Sequence, residues 1–303
     1  MQHPDLRIVR ILNLGAGVQS TRLHLESRDG IVPWFDASIF ADTQEEPAYV
    51  YSHLEWLKDC GGPPIIVSTI GSLGEHLMHG VNRWGGSRKT VRFSSIPAFT
   101  APDHEGRVQL TGCDVGRVRR QCTKDYKVTV VEQAIRRQVL GLKPRQRVPK
   151  GILVEQYFGI SYEERGRAER IKKRFADKRW AIPVFPLVER EVFREECLAY
   201  LKDRVPHPVL RSACTFCPYR RNQEWIDLQR DDPAGFARAV EIDHALRDKT
   251  TVANRGLSRS LYLHRKALPL VQIDFEEEAR KEQGRNGTDL FGLTDCGEGM
   301  CGL

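Results

Sequence analysis

The feature that most constrains this chain is the repeated switch of hydrophobic period in its first 70 residues. Arg7–Leu14 (RIVRILNL) is a short, dense apolar run that reads as a buried strand. It runs into Gly15-Ala16-Gly17-Val18-Gln19-Ser20-Thr21 and then a short helical stretch near Leu23. Residues 36–41 (DASIFA) read as a second strand. Pro47 then opens a helix with Val50, Tyr51, Leu54 and Leu57 on one face. Residues 64–69 (PIIVST) read as a third strand. Strands alternating with helices predict a parallel sheet with right-handed crossovers. The expected fold class is therefore α/β, a Rossmann-like parallel sheet with helices on both faces.

Further along, residues 71–112 are rich in Gly, Ser, Pro and His without a period, and predict a long irregular excursion. Residues 126–140 carry Val128, Val131, Ile135 and Val139 on one helical stripe. Residues 150–160 (KGILVEQYFGI) read as another buried strand, and 191–203 as a helix with Phe193, Leu198 and Leu201 inward. Residues 206–221 read as a loop holding a Cys-x-x-Cys. We expect a nucleotide-binding α/β domain over 1–190, with an irregular insertion at 71–120. A helical and loop region over 191–303 would follow, carrying the Cys-x-x-Cys and a cysteine-bearing tail. A length of 303 residues accommodates this. No run of about 18 apolar residues is present, so no membrane helix is expected. The first 15 residues lack a signal-peptide core, which points to a cytoplasmic, reducing location.

The glycine loop sits between a strand and a helix. Small residues let the backbone turn sharply and approach a ligand closely. The following helix N-terminus offers free N–H groups to a phosphate, and Ser20 and Thr21 add hydroxyls. A turn with glycines for packing alone fits the loop equally well. A P-loop is excluded because no lysine follows the glycines. A dinucleotide fold fits Gly15 and Gly17 but finds Ser20 at the third glycine, with Asp42 where a ribose-binding acid would sit. Asp42 has a plainer reading as a cap or turn residue.

Eight cysteines stand at 60, 113, 122, 197, 214, 217, 296 and 301. In a reducing compartment, clustered thiols point to metal or redox chemistry. Cys214 and Cys217 flank Thr-Phe at a spacing that suits a shared metal or cluster. Cys122 is the leading further ligand, inside a basic block whose Arg119, Arg120, Lys124 and Lys127 would lower its pKa. Cys113 is a candidate fourth. A structural zinc site with His207 helping, a redox dithiol and packing cysteines remain open. Cys60 and Cys197 sit in helical stretches and read as packing residues. Between Arg117 and Lys150, eleven basic and two acidic residues give a net +9, and a second basic stretch spans 165–179. Such a surface suits nucleotide phosphates or nucleic acid.

The glycine loop resembles the pyrophosphate-binding PP-loop (Ser-Gly-Gly-x-Asp-Ser) of the adenine-nucleotide alpha-hydrolase superfamily. Here Gly15 replaces the first Ser, Ala16 a Gly, and Gln19 the Asp, so a carboxylate that would help place Mg²⁺ is missing. Four downstream blocks resemble the phosphoadenosine-phosphosulfate (PAPS) reductase-like family. They are Phe40-Ala41-Asp42-Thr43 with Glu46-Pro47; Arg120-Gln121-Cys122-Thr123 with Tyr126-Lys127; Gly159-Ile160-Ser161 with Glu163-Glu164-Arg165; and 212–219 (SACTFCPY) with Trp225. Residues 12–225, about 70% of the chain, are spanned. The resemblance implies an adenine-nucleotide site at Gly15, Ala16, Gly17, Gln19, Ser20, Thr21, Asp42 and Thr43. It implies a [4Fe–4S] cluster on Cys122, Cys214 and Cys217, with zinc as the alternative metal. It implies an enzyme that uses ATP and Mg²⁺ to adenylate a substrate, DNA or tRNA, for sulfur insertion, with a sulfur donor as partner. Ser20, Lys124 and Lys127 would then serve the leaving pyrophosphate. Cys301, beside Gly302 in a tail that also holds Cys296, resembles the nucleophile of sulfonucleotide reductases. That alternative releases sulfite with a thioredoxin-like partner. A zinc-containing nucleic-acid-binding module is the non-enzymatic alternative, and a dehydrogenase leaves the cysteines unexplained.

Overall fold

The chain lays down its first strand in the middle of a sheet and then builds outward on both sides. The computed structural model describes residues 6–80, 96–102, 115–253 and 257–285. In chain order its elements are β1 (Arg7–Leu14), α1 (Val18–Arg28), β2 (Ala37–Ala41), α2 (Ala48–Asp59), β3 (Ile65–Ser68), α3 (Leu73–His79), β4 (Ala98–Ala101), β5 (Gly116–Val118), α4 (Thr129–Ala134), β6 (Ile152–Phe158), α5 (Arg165–Phe175), β7 (Ala181–Val184), α6 (Pro186–Glu189), α7 (Arg194–Lys202), α8 (Asn222–Asp231), α9 (Pro233–Arg247), β8 (Ser260–Tyr262) and α10 (Phe275–Arg285). Five strands form one all-parallel sheet in the order β3-β2-β1-β6-β7. This is an α/β architecture compatible with a Rossmann-like fold.

The strand order explains the residue pattern. Central strands are covered on both faces and need near-continuous apolar runs, and all five residues of β2 are buried. Alternate residues of β1 feed two cores. Val9 and Ile11 face α4 and α5, with Val131, Ile135, Ala168 and Ile171. Leu12 and Leu14 face α1, α2 and α7, with Leu23, Leu54 and Leu201. Growth reverses between β1 and β6, so the connections leave on opposite faces and a crevice opens at the carboxyl ends of these strands.

Buried polar links hold α1 and α2 against one another and the sheet. His24 Nδ1 lies 3.0 Å from Ser38 Oγ. Thr21 Oγ1 meets His53 Nε2 at 2.8 Å, and His53 Nδ1 meets His207 Nε2 at 2.8 Å. His207 thus ties the segment before the Cys-x-x-Cys to α2.

A third core joins residues far apart in sequence: Leu73 and Leu77 of α3, Tyr126, Phe216, Trp225 of α8, Ile242 of α9, Leu261 and Phe275. Strands β5-β4-β8 form a small antiparallel sheet beside it. The expected irregular excursion over 71–112 is therefore structured in its described parts, by α3 and β4. Their apolar residues are satisfied by α9 and β8 rather than by local period. The helix expected over 126–140 starts earlier and is interrupted. Wider π turns, Thr123–Val128 and Ile135–Val139, flank α4. No helix among the described residues is long and apolar enough to cross a membrane.

Burial lowers the pKa of His24, His53 and His264 to about 4 each. The unfolded chain then binds more protons than the folded one between pH 6.5 and about 4. Stability is complete above that window and is lost as pH falls through it, by roughly 3 kcal/mol per imidazole. Asp243, whose carboxyl burial pushes up, acts in the opposite sense. Urea midpoints at pH 7.5, 6 and 5 should fall in that order, and His53→Gln should flatten the trend.

Candidate functional site

The glycine loop sits at the carboxyl end of β1, in the crevice where strand order reverses. Gly17 is the N-cap of α1, and Thr21 N–H donates to its carbonyl at 2.9 Å. Ser20 Oγ accepts from Gly15 N–H at 3.2 Å and Gly17 N–H at 3.3 Å, and donates to Gly17 O at 3.1 Å. This hydroxyl sets the loop's curvature. Ala16 has φ 54°, a left-handed conformation that glycine adopts freely and alanine does not. Gln19 is fully engaged. Its amide nitrogen donates to Ser161 Oγ at 3.3 Å and Glu164 Oε2 at 3.4 Å, and Arg194 Nη1 donates to its oxygen at 3.1 Å. Thr21 is completely buried with its hydroxyl against His53. It braces α1 and does not line the loop.

The turn after β2 lies alongside. Asp42 Oδ1 accepts from Gln44 N–H at 2.7 Å and Tyr51 OH at 3.0 Å, which makes it a turn-forming residue. Burial, followed by the Asp42 charge, pushes the Tyr51 phenol up. Thr43 is buried, with Oγ1 3.2 Å from Cys214 Sγ. A narrow cleft between β1 and β2 is lined by Leu14, Gly15, Phe40, Ala41 and Lys127. It measures about 10 Å³, room for one water.

Glu46 joins these parts and was not singled out from the sequence as a site residue. Its carboxylate is fully buried. It pairs with Lys127 Nζ at 3.5 Å, accepts from Ser212 Oγ at 3.1 Å, and lies 4.0 Å from Cys214 Sγ. Lys127 comes from the π turn that begins next to Cys122. Lys124, in the same turn, is exposed. The Cys-x-x-Cys loop is fixed from two sides. Thr215 N–H donates to Glu45 O at 2.7 Å. The buried Arg220 guanidinium donates to the carbonyls of Ala213, Cys214 and Thr215 at 2.8 to 3.3 Å. A Cβ on Gly17 would meet Ser212 N at 3.7 Å, so this segment lies directly over the glycine loop.

The three expected thiols lie in one neighbourhood. Cys122 and Cys214 pack on the same core. Burial pushes the Cys214 thiol up, with the charges of Glu46 and Cys122 adding to it and Lys127 and Thr43 opposing. Cys122 and Cys217 both act on Tyr219, whose phenol is raised chiefly by burial and lowered by Arg120 and Arg117. The basic block thus borders the thiols, with Arg120 5.7 Å from the Tyr219 ring centroid. Among the described residues, no three His, Cys, Asp or Glu side chains are grouped to hold a single metal ion. A sulfur-only donor set is nonetheless suited to an iron–sulfur cluster, which is larger than one ion. Thr215 Oγ1, between the two loop cysteines, is buried without a partner. Such a group fits a missing acceptor. Cys197 is buried and Cys60 half-buried. Cys113, Cys296 and Cys301 lie outside the described residues.

Gly159, directly after β6, fixes the loop's position. A Cβ there would stand 2.6 Å from Ser20 N and 2.8 Å from Gln19 C. Gly159→Ala must displace backbone, and thermal unfolding should show a loss of about 1–3 kcal/mol. Ala16→Gly should be close to neutral in the same measurement. Relief of about 1–2 kcal/mol of left-handed strain is offset by about 0.4–1 kcal/mol of chain entropy and about 0.8 kcal/mol for the lost buried methyl. Comparisons of the chain with protein-family models, with curated proteins and with solved structures return no match.

Proposed function

We propose that this chain is an adenine-nucleotide-dependent enzyme of the PAPS reductase-like, PP-loop type, activating an oxygen on a nucleic-acid substrate for replacement by sulfur. The observation that supports the reading is the placement of the Cys-x-x-Cys loop over the glycine loop, with Cys214 within electrostatic reach of Cys122. Thr43 lies 3.2 Å from Cys214, and the 212–217 segment lies over Gly17. Nothing in a dehydrogenase calls for thiols at that place.

In this reading the acceptor oxygen attacks the α-phosphorus of ATP, the bond to pyrophosphate breaks, and the acceptor's proton passes to water. The adenylated oxygen then leaves with AMP when a sulfide-level sulfur attacks, so no net oxidation occurs. The N-terminus of α1 would offer partial positive charge to the phosphates, while the Gly15 and Gly17 N–H groups stay on Ser20 Oγ and hold the loop's shape. The exposed Lys124 would neutralise the departing pyrophosphate, with Mg²⁺ from solution, while Lys127 of the same turn stays paired with Glu46. Such fixed charges stabilise a transition state without reorganising. Cys122, Cys214 and Cys217 would hold a [4Fe–4S] cluster, which when bound supplies an iron free to carry sulfur. Arg120 and Arg117, beside Tyr219, would supply positive charge to phosphates of DNA or tRNA.

Because burial keeps Cys214 protonated at neutral pH, loading a metal must displace that proton. Reconstitution with iron and sulfide under anaerobic conditions should therefore improve as pH rises from 7 to about 9. Wild-type protein should contain iron and acid-labile sulfide, and Cys122→Ala should lose most of both while still binding ATP by calorimetry. Stoichiometric zinc without iron would reject the cluster. Sulfite release from phosphoadenosine phosphosulfate, with no pyrophosphate from ATP, would favour the sulfonucleotide reductase instead.

A further inference from the structure

A second cavity lies on the other side of Asn13 from the nucleotide cleft. It is enclosed by α4 and α5 against β1 and β6, and measures about 40 Å³. Asn13 and Val131 line both spaces, so the two cavities adjoin at these side chains. The Asn13 amide is committed, donating to Tyr157 O at 3.1 Å.

The far floor is Gln156, 2% exposed. Its Nε2 is buried and has no hydrogen-bond partner. An amide left this way costs about 1–3 kcal/mol, and native proteins rarely leave one without an occupant to accept from it. Around it the walls are apolar, with Val131, Phe158 and Phe175 among them. The charged groups facing the space are three. Glu132 and Lys178 pair with each other across the gap between α4 and α5. Arg174 is exposed but still lines the cavity, so it stands at the mouth. No carboxylate lies within ion-pair distance of it among the described residues. The pair cancels and Arg174 leaves a net charge of +1. Burial, then the neighbouring Arg167 charge, lower the Arg174 pKa, with Glu132 opposing them. At about 10–15 Å³ per water the space suits about three waters or one small planar group.

We propose that this cavity is a subsite for a small carboxylate, one oxygen accepting from Gln156 Nε2 and the negative charge facing Arg174. A carboxylate meets both unfulfilled features at once: a buried donor without an acceptor, and a cation whose only ion-pair candidate among the described residues, Glu132, is already held by Lys178. Neutral carbonyl compounds satisfy only the first. The inference stands apart from the nucleotide reading, since none of its donors belongs to the glycine loop or the thiols.

The test uses the full chain, ¹⁵N-labelled, with formate and acetate as probes and formamide as the uncharged control. The Gln156 side-chain amide signal is identified by its disappearance in Gln156→Leu. Formate should shift that signal saturably and raise the unfolding temperature by mass action. Formamide should do so far more weakly. Arg174→Gln, on an exposed side chain and harmless to folding, should weaken formate binding roughly tenfold, the size of one charge-assisted hydrogen bond. ATP binding should be unchanged in that variant, so a failed nucleotide reading and a failed carboxylate subsite give different results. A Gln156 signal insensitive to formate, equal binding of formamide, or no effect of Arg174→Gln would each overturn the proposal and leave a water-filled cavity.

Discussion

One buried ion pair decides how the two halves of this molecule meet. The Glu46 side chain is completely shielded and Lys127 nearly so. Isolating a carboxylate from water costs several kcal/mol unless a cation and hydrogen bonds compensate. Glu46 therefore admits only an arrangement that brings Lys127 and Ser212 to it. Lys127 comes with the turn that starts at Cys122, and Ser212 with the loop of Cys214 and Cys217. The turn after β2 also carries Thr43, which touches Cys214. A single electrostatic requirement thus gathers the thiols, the basic block and the carboxyl edge of the sheet. Next to it, Glu45 performs a similar task through Arg238 of α9, which grips its carboxylate at 2.9 and 3.1 Å. Two consecutive glutamates in one turn anchor both the helical layer and the cysteine loop.

The parts of this arrangement legible in the sequence are those governed by short-range periodicity. β1, β2 and β3 are apolar runs bounded by glycine and proline, and the glycine loop announces itself between β1 and α1. The parts that were not legible depend on distant partners. β7 is four residues with Pro183 inside and Ile182 exposed, an edge strand without a pattern of its own. β4 pairs with β8 some 160 residues later, so its segment reads as irregular when taken alone. The same holds at the site. Cys214 and Cys217 stand out by spacing, but Glu46 and Arg220 look like ordinary surface charges. Only the fold shows that one is buried beside a thiol and the other is knotted into three carbonyls. In sequence the Thr21 hydroxyl reads as a second donor beside that of Ser20; helix geometry turns it a further 100° about the axis, into His53.

Gln19 illustrates how a departure from a motif becomes intelligible through its neighbours. The PP-loop pattern places an aspartate there. In this chain the position faces Glu164 at 3.4 Å and Ser161 at 3.3 Å on one side, and Arg194 at 3.1 Å on the other. A carboxylate would satisfy Arg194 but would stand against Glu164, whose charge already holds Arg167 at 3.0 Å. Like charges at that separation repel even in a partly solvated site. An amide resolves the conflict, because it donates to the carboxylate with one end and accepts from the guanidinium with the other. The exchange of Asp for Gln therefore belongs to a local network joining α1, the end of β6 and α7. It leaves the loop without the carboxylate that the pattern carries at this position. Any divalent cation serving a nucleotide here must then draw its ligands from phosphate and water, the usual habit of Mg²⁺.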